Sequence, residues 1–222
     1  MTQNAMPVER KRWTPGVKLA IAFAAAYTLA AAVGALRTGN SEFIFYIVVM
    51  LVLAAAVSLV HWRVGLSTGV LWALAVWGGL HMAGGLVPVP ASWPISGDIR
   101  VLYSWWIIPA ANGGGLPGTP GGWLKYDQVV HAFGFGVTTW VCWQALRGAT
   151  GAWAKLKPTF GLMVLCAAAG LGFGALNEVV EFAATLMMNT NVGGYENTGW
   201  DLVFNSLGAI TAAVIIYTGS EK

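Results

Sequence analysis

The run PTFGLMVLCAAAGLGFGALNEVVEFAATLM, residues 158–187, decides which kind of fold this chain adopts. It is longer than the roughly 20 apolar residues that one bilayer crossing needs, so we expect a helix that tilts or projects beyond the membrane. Glu178 and Glu181 lie deep inside it. Ionisable side chains are unfavourable in hydrocarbon and usually face a bundle interior or a wet cavity. The run therefore predicts both a membrane fold and a polar site within it.

The chain as a whole has the composition of a polytopic membrane protein. Of its 222 residues, 57% are hydrophobic and 9% are charged, against roughly 25% charged in soluble domains. Unbroken apolar runs exclude the short alternating strands of a barrel, so we predict an all-α bundle that forms one integral membrane domain over residues 1–222. The predicted spans are 17–36, 43–60, 64–87, 125–147, 158–187 and 200–218.

Basic residues predict the orientation of this bundle. Most Lys and Arg side chains fall on the side of the two termini, and the positive-inside rule then places both termini in the cytoplasm. Those on the predicted cytoplasmic side are Arg10, Lys11, Arg12, Lys18, Arg63, Arg147, Lys155, Lys157 and Lys222, which leaves Arg37, Arg100 and Lys125 for the other side. This bias explains the net charge of +3, so we expect contact with membrane lipids and no nucleic-acid partner. The first span is long enough to be a retained anchor.

The loop at residues 88–124 is rich in Pro and Gly, which favour turns and irregular backbone. Within it, the apolar segment 101–108 is too short to span a bilayer. Two interpretations stay open for this segment: an interfacial or re-entrant helix with Trp105 and Trp106 at headgroup depth, or a plain loop anchored by its aromatic side chains.

Polar side chains recur on the small-residue faces of the last four spans. Small residues bring helices together, so the polar groups on the same faces should meet each other rather than lipid. Alternating span directions also place all of these groups near one membrane face, which the orientation makes the extracytoplasmic one. The set comprises His81, Asp127, His131, Asn177, Glu178, Glu181, Asp201 and Asn205.

Imidazole and carboxylate groups together suit Zn²⁺, Fe²⁺ or Mn²⁺. The predicted metal ligands are His81, His131, Glu178, Glu181 and Asp201. We predict catalytic roles for Asp127 and Glu178, with Asp127 as a ligand, a His orienter or a base, and we predict that Asn177 and Asn205 support the ligands by hydrogen bonds. Two carboxyl groups that share a proton would serve equally as an acid and base pair.

Each residue also has a structural interpretation. His81 alone is often a hydrogen-bonded packing residue at a membrane interface. Asp127 and Asp201 both lie near predicted helix starts, where the helix macrodipole favours a carboxylate. Glu178 and Glu181 lie too deep in apolar sequence for capping to explain them.

Four segments carry a resemblance to a known family. They are His81-Met82-Ala83-Gly84-Gly85, Tyr126-Asp127-Gln128-Val129-Val130-His131, Asn177-Glu178-Val179-Val180-Glu181 and Tyr195-Glu196-Asn197-Thr198-Gly199-Trp200-Asp201. In this order they resemble the YjdF-like bacterial inner-membrane proteins, over about residues 75–215, and more loosely the VanZ-like proteins. The resemblance implies a multi-pass protein of the bacterial cytoplasmic membrane with a polar site, and it implies no particular activity.

Four hypotheses for function remain open at the level of sequence. The first is a metal-dependent enzyme that acts on a lipid-linked or other amphipathic substrate near the extracytoplasmic face. The second is a proton-coupled carrier that uses the same carboxylates as a relay. The third is haem ligation by His81 and His131, and the fourth is a structural or assembly protein in which the polar cluster only locks the bundle.

Overall fold

A computed structural model describes residues 13–151, 155–188, 190 and 193–219. Six long helices account for most of this part of the chain, and each is long and apolar enough to cross a membrane. They are α1 (Pro15–Thr38), α2 (Ser41–Val64), α3 (Thr68–Leu86), α4 (Tyr126–Ala149), α5 (Phe160–Met187) and α6 (Tyr195–Gly219). The predicted all-α polytopic membrane fold is confirmed.

Side-chain caps set the helix starts that differ from the predicted span ends. The Asn40 side chain accepts from the backbone N–H of Phe43 at the start of α2. Gly65 takes a left-handed conformation with φ of 70° and ends α2, and the Ser67 side chain then caps α3. The chain turns between residues 65 and 67, so α3 begins at Thr68 and not at residue 64, where the predicted third span begins.

The sixth helix begins five residues before its predicted span, at Tyr195 rather than at 200. Asp201 consequently lies in the second turn of α6 and is 1% exposed. A helix-start role for Asp201 is therefore wrong, because the favourable end of the helix macrodipole acts within the first turn.

Consecutive helices run antiparallel. Short connections impose this on most pairs. The longer segment 87–125 joins α3 to α4, and here the contacts show it, because the Tyr126 hydroxyl donates to the Leu80 carbonyl and the Gln144 amide donates to the Ser67 hydroxyl. We call the end at which α3 ends and α4 begins the site end of the bundle. The described basic residues Lys18, Arg63, Arg147, Lys155 and Lys157 fall at the opposite end. Arg10, Lys11, Arg12 and Lys222, which also enter the orientation argument, lie outside the described residues. The cytoplasmic location of the termini stays a prediction.

Glycine allows α4, α5 and α6 to pack closely. A Cβ atom on Gly208 of α6 would lie 1.8 Å from the carbonyl oxygen of Ala132 in α4. A Cβ atom on Gly170 of α5 would lie 2.1 Å from the Thr139 hydroxyl of α4. These crossings admit no larger residue, and they bring the polar faces of the three helices together as the small-residue pattern predicts.

The segment between α3 and α4 folds as a small β cap, so the helix interpretation of residues 101–108 is wrong, and the segment is more ordered than a plain loop. The depth of Trp105 and Trp106 in the membrane stays a prediction. A single 3-10 turn at Leu102–Ser104 precedes strand β1 (Trp106–Pro109). This strand pairs antiparallel with β4 (Gly122–Lys125), and between them β2 (Gly115–Leu116) pairs with β3 (Thr119–Pro120). Gly122 makes the pairing possible, because a Cβ there would lie 2.2 Å from the buried Trp106 ring.

The β cap is fixed to the helices at the site end. The backbone N–H of Tyr126, at the start of α4, donates to the carbonyl of Trp105 at 3.0 Å. Trp200 Nε1 of α6 donates to the carbonyl of Pro117 at 3.0 Å. The cap therefore determines where α4 begins, and with it the positions of the first polar residues of that helix.

Candidate metal centre

The start of α4 carries a row of ionisable groups that are largely buried. Lys125 directly precedes the helix and is 6% exposed. Its Nζ lies 3.3 Å from Asp127 Oδ2. The other oxygen of that carboxylate, Oδ1, lies 3.6 Å from Nε2 of His131, one helical turn further along. Asp127 therefore lies between an ammonium group and an imidazole.

Asn205 of α6 fixes the orientation of the His131 ring. Asn205 is fully buried, and its Oδ1 lies 2.9 Å from His131 Nδ1. An amide oxygen accepts and cannot donate, so Nδ1 carries the proton and Nε2 of the neutral ring carries a lone pair. That lone pair faces the Asp127 carboxylate. A proton or a metal ion between them removes the repulsion of the two electron-rich atoms.

Helix α5 brings its two carboxyl groups to the same imidazole. Glu178 Oε1 lies 3.7 Å from His131 Nδ1. Asn177 Nδ2 donates to Glu181 Oε1 at 2.8 Å, so the neighbouring amide orients the second carboxyl group. Glu178 and Glu181 thus face α4 rather than lipid.

Asp201 completes the cluster from α6. Asn197 Nδ2, one turn earlier on that helix, donates to Asp201 Oδ2 at 2.6 Å. Lys125 Nζ in turn donates to Asn197 Oδ1. A chain of hydrogen bonds therefore runs from the end of the β cap, across Asn197, to the buried Asp201 carboxyl group.

Two groups of metal-capable side chains share His131. Within each group, one potential ligand atom from every residue lies within 4.8 Å of the others. The first group is Asp127, His131 and Asp201, and the second is His131, Glu178 and Glu181. Five of the six ionisable residues singled out in the sequence therefore converge on one place, where three separate helices meet.

Several oxygen atoms of this cluster lack a hydrogen-bond partner among the described residues. They are both carboxyl oxygens of Glu178 and Oδ1 of Asp201. Four carboxyl groups lie around His131, whereas Lys125 supplies one positive charge. Buried carboxylates that are neither paired nor hydrogen-bonded are unfavourable. The cluster therefore requires protons on some of its carboxyl groups, or a bound cation.

Comparison with known proteins identifies the family but no activity. A family described as "Predicted membrane protein (DUF2238)" matches residues 18–222. The chain belongs to this family. No curated protein and no solved structure matches the chain. The DUF2238 match covers all six helices except the first three residues of α1, together with the β cap and every residue of the cluster. It supports membrane location without naming a reaction.

His81 stands apart from the two metal-capable groups of this DUF2238 chain. Its Nδ1 is hydrogen-bonded to the hydroxyl of Tyr103 in the β cap, and its ring packs edge-on against Tyr46 of α2 at 5.7 Å. Burial raises the pKa of Tyr103 well above its usual value, and the Asp127 carboxylate adds to this effect. Tyr103 thus keeps its proton and can donate it to His81. The structure does not bring His81 to the other five ionisable residues as a ligand.

His81 instead lines a cavity of about 260 Å³ that leads to the cluster. We call this cavity the polar pocket. Asp127 and Glu181 also line it, one from each metal-capable group, together with Lys125 and Asn197. Glu42 and Tyr46 of α2 line it too, as does Tyr103 of the β cap. Helix α2 therefore contributes polar side chains to the pocket, although the sequence placed no candidate site residue on it.

Sequence reasoning missed Lys125, Asn197 and Tyr103 as members of the site. Lys125 carried a signal, because it is a basic residue on the side opposite most others and two positions before Asp127. Asn197 carried a weaker one, four residues before Asp201 at helical spacing. Nothing in the sequence linked Tyr103 to His81, because that contact depends on how the β cap folds over α3.

Proposed function

We propose that this protein binds a divalent transition metal, Zn²⁺, Fe²⁺ or Mn²⁺, at the His131 cluster and acts as a metal-dependent membrane enzyme. Its substrate is lipid-linked or otherwise amphipathic. The site lies near the extracytoplasmic face of a bacterial cytoplasmic membrane, with both termini in the cytoplasm. The ligands come from the two groups that share His131, namely Asp127 and Asp201 in one and Glu178 and Glu181 in the other.

The observation that carries this proposal is the set of buried carboxyl oxygens without hydrogen-bond partners among the described residues, those of Glu178 and Asp201. Buried carboxyl oxygens that converge on an imidazole from separate helices and lack a hydrogen-bond partner are typical of a transition-metal site. The hydrogen bond from His131 Nδ1 to Asn205 adds support, because ligating histidines nearly always donate their other ring N–H to a neighbouring acceptor.

The resemblance to YjdF-like proteins supports the same residues. Its four recurring elements contain His81, the Asp127 and His131 pair, the Glu178 and Glu181 pair, and Asp201. In this proposal His81 holds the wall of the polar pocket through Tyr103, while the other five residues form the centre.

A bound metal would polarise a substrate oxygen or activate water. The protein's own residues supply the rest. Asp127 is placed to accept a proton, because it lines the polar pocket and lies between Lys125 and His131. Lys125 stabilises the Asp127 carboxylate and borders the pocket where a polar head group would enter.

Metal analysis of the full chain purified in detergent tests the proposal. We expect about one transition metal per chain by inductively coupled plasma mass spectrometry, and loss of most of it in Glu178→Gln. Glu196→Gln is the matched control, because Glu196 is an exposed carboxylate outside the cluster. A chain that holds no stoichiometric metal, even after reloading with Zn²⁺, Fe²⁺ and Mn²⁺, contradicts the proposal.

A second candidate function is a structural lock without catalysis. The observation that favours it is the hydrogen-bond chain from Lys125 through Asn197 to Asp201, which joins the start of α4 to α6 with protein groups alone. The two functions differ in their response to a chelator. A metal centre predicts that a strong chelator lowers the thermal unfolding midpoint of the purified protein, whereas a lock predicts no change.

A further inference from the structure

An apolar groove of about 210 Å³ runs beside the cluster, between α1, α2 and α3, and reaches α5. Its walls include Ala24 of α1, Met50 and Ala54 of α2, and Leu74 and Ala75 of α3. One end lies at Trp13, His61 and Trp62, opposite the site end, and the other lies at Tyr46, His81 and Asn177. The groove thus follows α2 for most of its length.

The depth of this groove in the bilayer limits what can fill it. Its walls are made by helices that cross the hydrocarbon region, where there is no bulk water. Small apolar side chains such as those of Ala24 and Ala54 leave space in the groove. They offer no hydrogen-bond partners that would hold water there. Hydrocarbon chains of lipids are therefore the occupants that the surroundings provide.

The groove joins the polar pocket at the site end. Tyr46 and His81 line both of them. Asn177, at the same end of the groove, donates to Glu181, which lines the polar pocket. A hydrocarbon chain that lies in the groove therefore has its polar head beside Asp127, Glu181 and Lys125.

We propose that the groove is the subsite for the hydrocarbon tail of the substrate, and that the polar pocket receives the head of the same molecule. This inference rests on the proposed function and names its substrate class, a membrane lipid with a polar, oxygen-rich head. The head lies at the site end, and the tail points toward the Trp13 and Trp62 end.

The length of the groove indicates a long tail. From Tyr46 to Trp62 the helix rises by about 24 Å, at roughly 1.5 Å per residue. One leaflet contributes about half of a hydrocarbon core of roughly 30 Å, that is about 15 Å. The groove passes beyond the bilayer midplane, so it accommodates chains longer than one leaflet is deep.

Photolabelling of the full chain in vesicles tests this inference. The vesicles contain phosphatidylethanolamine and a phosphatidylglycerol with a diazirine near the end of one chain. Ala75 on the inner wall of the groove is 7% exposed, so surrounding bulk lipid does not reach it. We expect that irradiation labels the peptide that contains Ala75, as detected by mass spectrometry.

Two pairs of substitutions separate the groove from the lipid-facing surface. Ala24→Phe with Ala54→Phe fills the groove. Ala25→Phe with Ala55→Phe is the matched control, since both residues are exposed neighbours that do not line the groove. Labelling at Ala75 should fall about tenfold in the first pair and should stay unchanged in the second. A tenfold loss of lipid affinity corresponds to the burial of about two methylene groups of the tail. Equal labelling in the two pairs overturns the inference.

A second probe tests the orientation of the lipid in the groove. It uses the unaltered chain, so the result does not depend on how the variants fold. A diazirine next to the glycerol should label Tyr46 and His81, whereas the terminal diazirine should label the stretch near Val57. The reversed pattern, or no labelling of the groove by either probe, overturns the inference. Groove labelling in a chain that holds no metal would refute the metal centre and support the lipid site. A bound metal without groove labelling would support the metal centre and refute the lipid site.

Discussion

His131 connects the two metal-capable groups, so its ring orientation decides whether they act together. Asn205 sets that orientation from α6 and lies against Gly174 of α5, where a Cβ atom would be 2.8 Å from the Asn205 amide nitrogen. A single amide therefore ties the imidazole of α4 to the two helices that supply Glu178 and Asp201.

Replacement of that amide should weaken metal binding without removal of a ligand. We expect Asn205→Leu to lower metal affinity by about 10- to 100-fold, as loss of a ligand's supporting hydrogen bond does elsewhere. Competition with a chromogenic chelator measures the affinity. Ser206→Ala is the control, because Ser206 is a neighbour on α6 whose hydroxyl bonds to the Leu202 carbonyl. Equal affinities in the two variants would show that Asn205 does not orient the ligand.

Lys125 should contribute to stability because it is buried between Asp127 and Asn197. Removal of one partner of a buried ion pair typically destabilises a protein by about 3–5 kcal/mol, since the other charge stays buried and unpaired. We expect Lys125→Met to lower the thermal unfolding midpoint in detergent, and Lys125→Met with Asp127→Asn to recover part of the loss. An unchanged midpoint in Lys125→Met would mean that the pair is solvated.

At the scale of elements, the crossing of α4 and α6 brings Asp201 and Asn205 to His131. Gly208 permits this crossing, because the Ala132 carbonyl oxygen occupies the space that a side chain would need. The backbones meet about two turns from Asp201. The site geometry is therefore sensitive to a contact that involves none of its ligands.

Gly208→Ala should therefore separate the two helices. Overpacking typically destabilises a protein by about 1–3 kcal/mol, and here the obstacle is backbone, which has little freedom to move. Gly172→Ala is a matched control on α5, because nothing lies within 4 Å of its would-be Cβ. Thermal unfolding followed by circular dichroism should show a lower midpoint for Gly208→Ala and an unchanged or slightly higher one for Gly172→Ala. Equal midpoints would argue against the close crossing.

At the scale of the whole molecule, six antiparallel spans place the β cap and the cluster at the same end. The described basic residues Lys18, Arg63 and Arg147 lie at the other end. The positive-inside rule then predicts that the β cap faces the outside of the cell.

Cysteine labelling in spheroplasts tests this orientation. The background carries Cys142→Ala and Cys166→Ala, and single cysteines are introduced as Ala111→Cys in the β cap and Thr150→Cys after α4, both at exposed positions. A membrane-impermeant maleimide should label the first in intact spheroplasts and the second only after permeabilisation. The reverse result would place the cluster on the cytoplasmic side.

The sequence could predict the spans and the polar faces because both are local properties. Apolar runs of about 20 residues can satisfy their backbone groups in lipid only as helices, so Phe160–Met187 forms one whatever surrounds it. Helical spacing then places Glu178 and Glu181 on one face. Strand pairing in the β cap was not predictable, since Trp106 and Gly122 are distant in sequence and meet only in the folded chain.

The sequence by itself determined that this chain is a membrane helix bundle whose ionisable groups face the bundle interior. The reason is that an isolated charge in hydrocarbon is strongly unfavourable. The tertiary structure alone decided which of those groups share a centre. It joined Asp127, Glu178, Glu181 and Asp201 around His131, placed His81 against Tyr103, and added Lys125. The physical reason is that packing between helices sets the rotation and the crossing angle of each helix. Contacts between side chains depend on both to within a few ångströms.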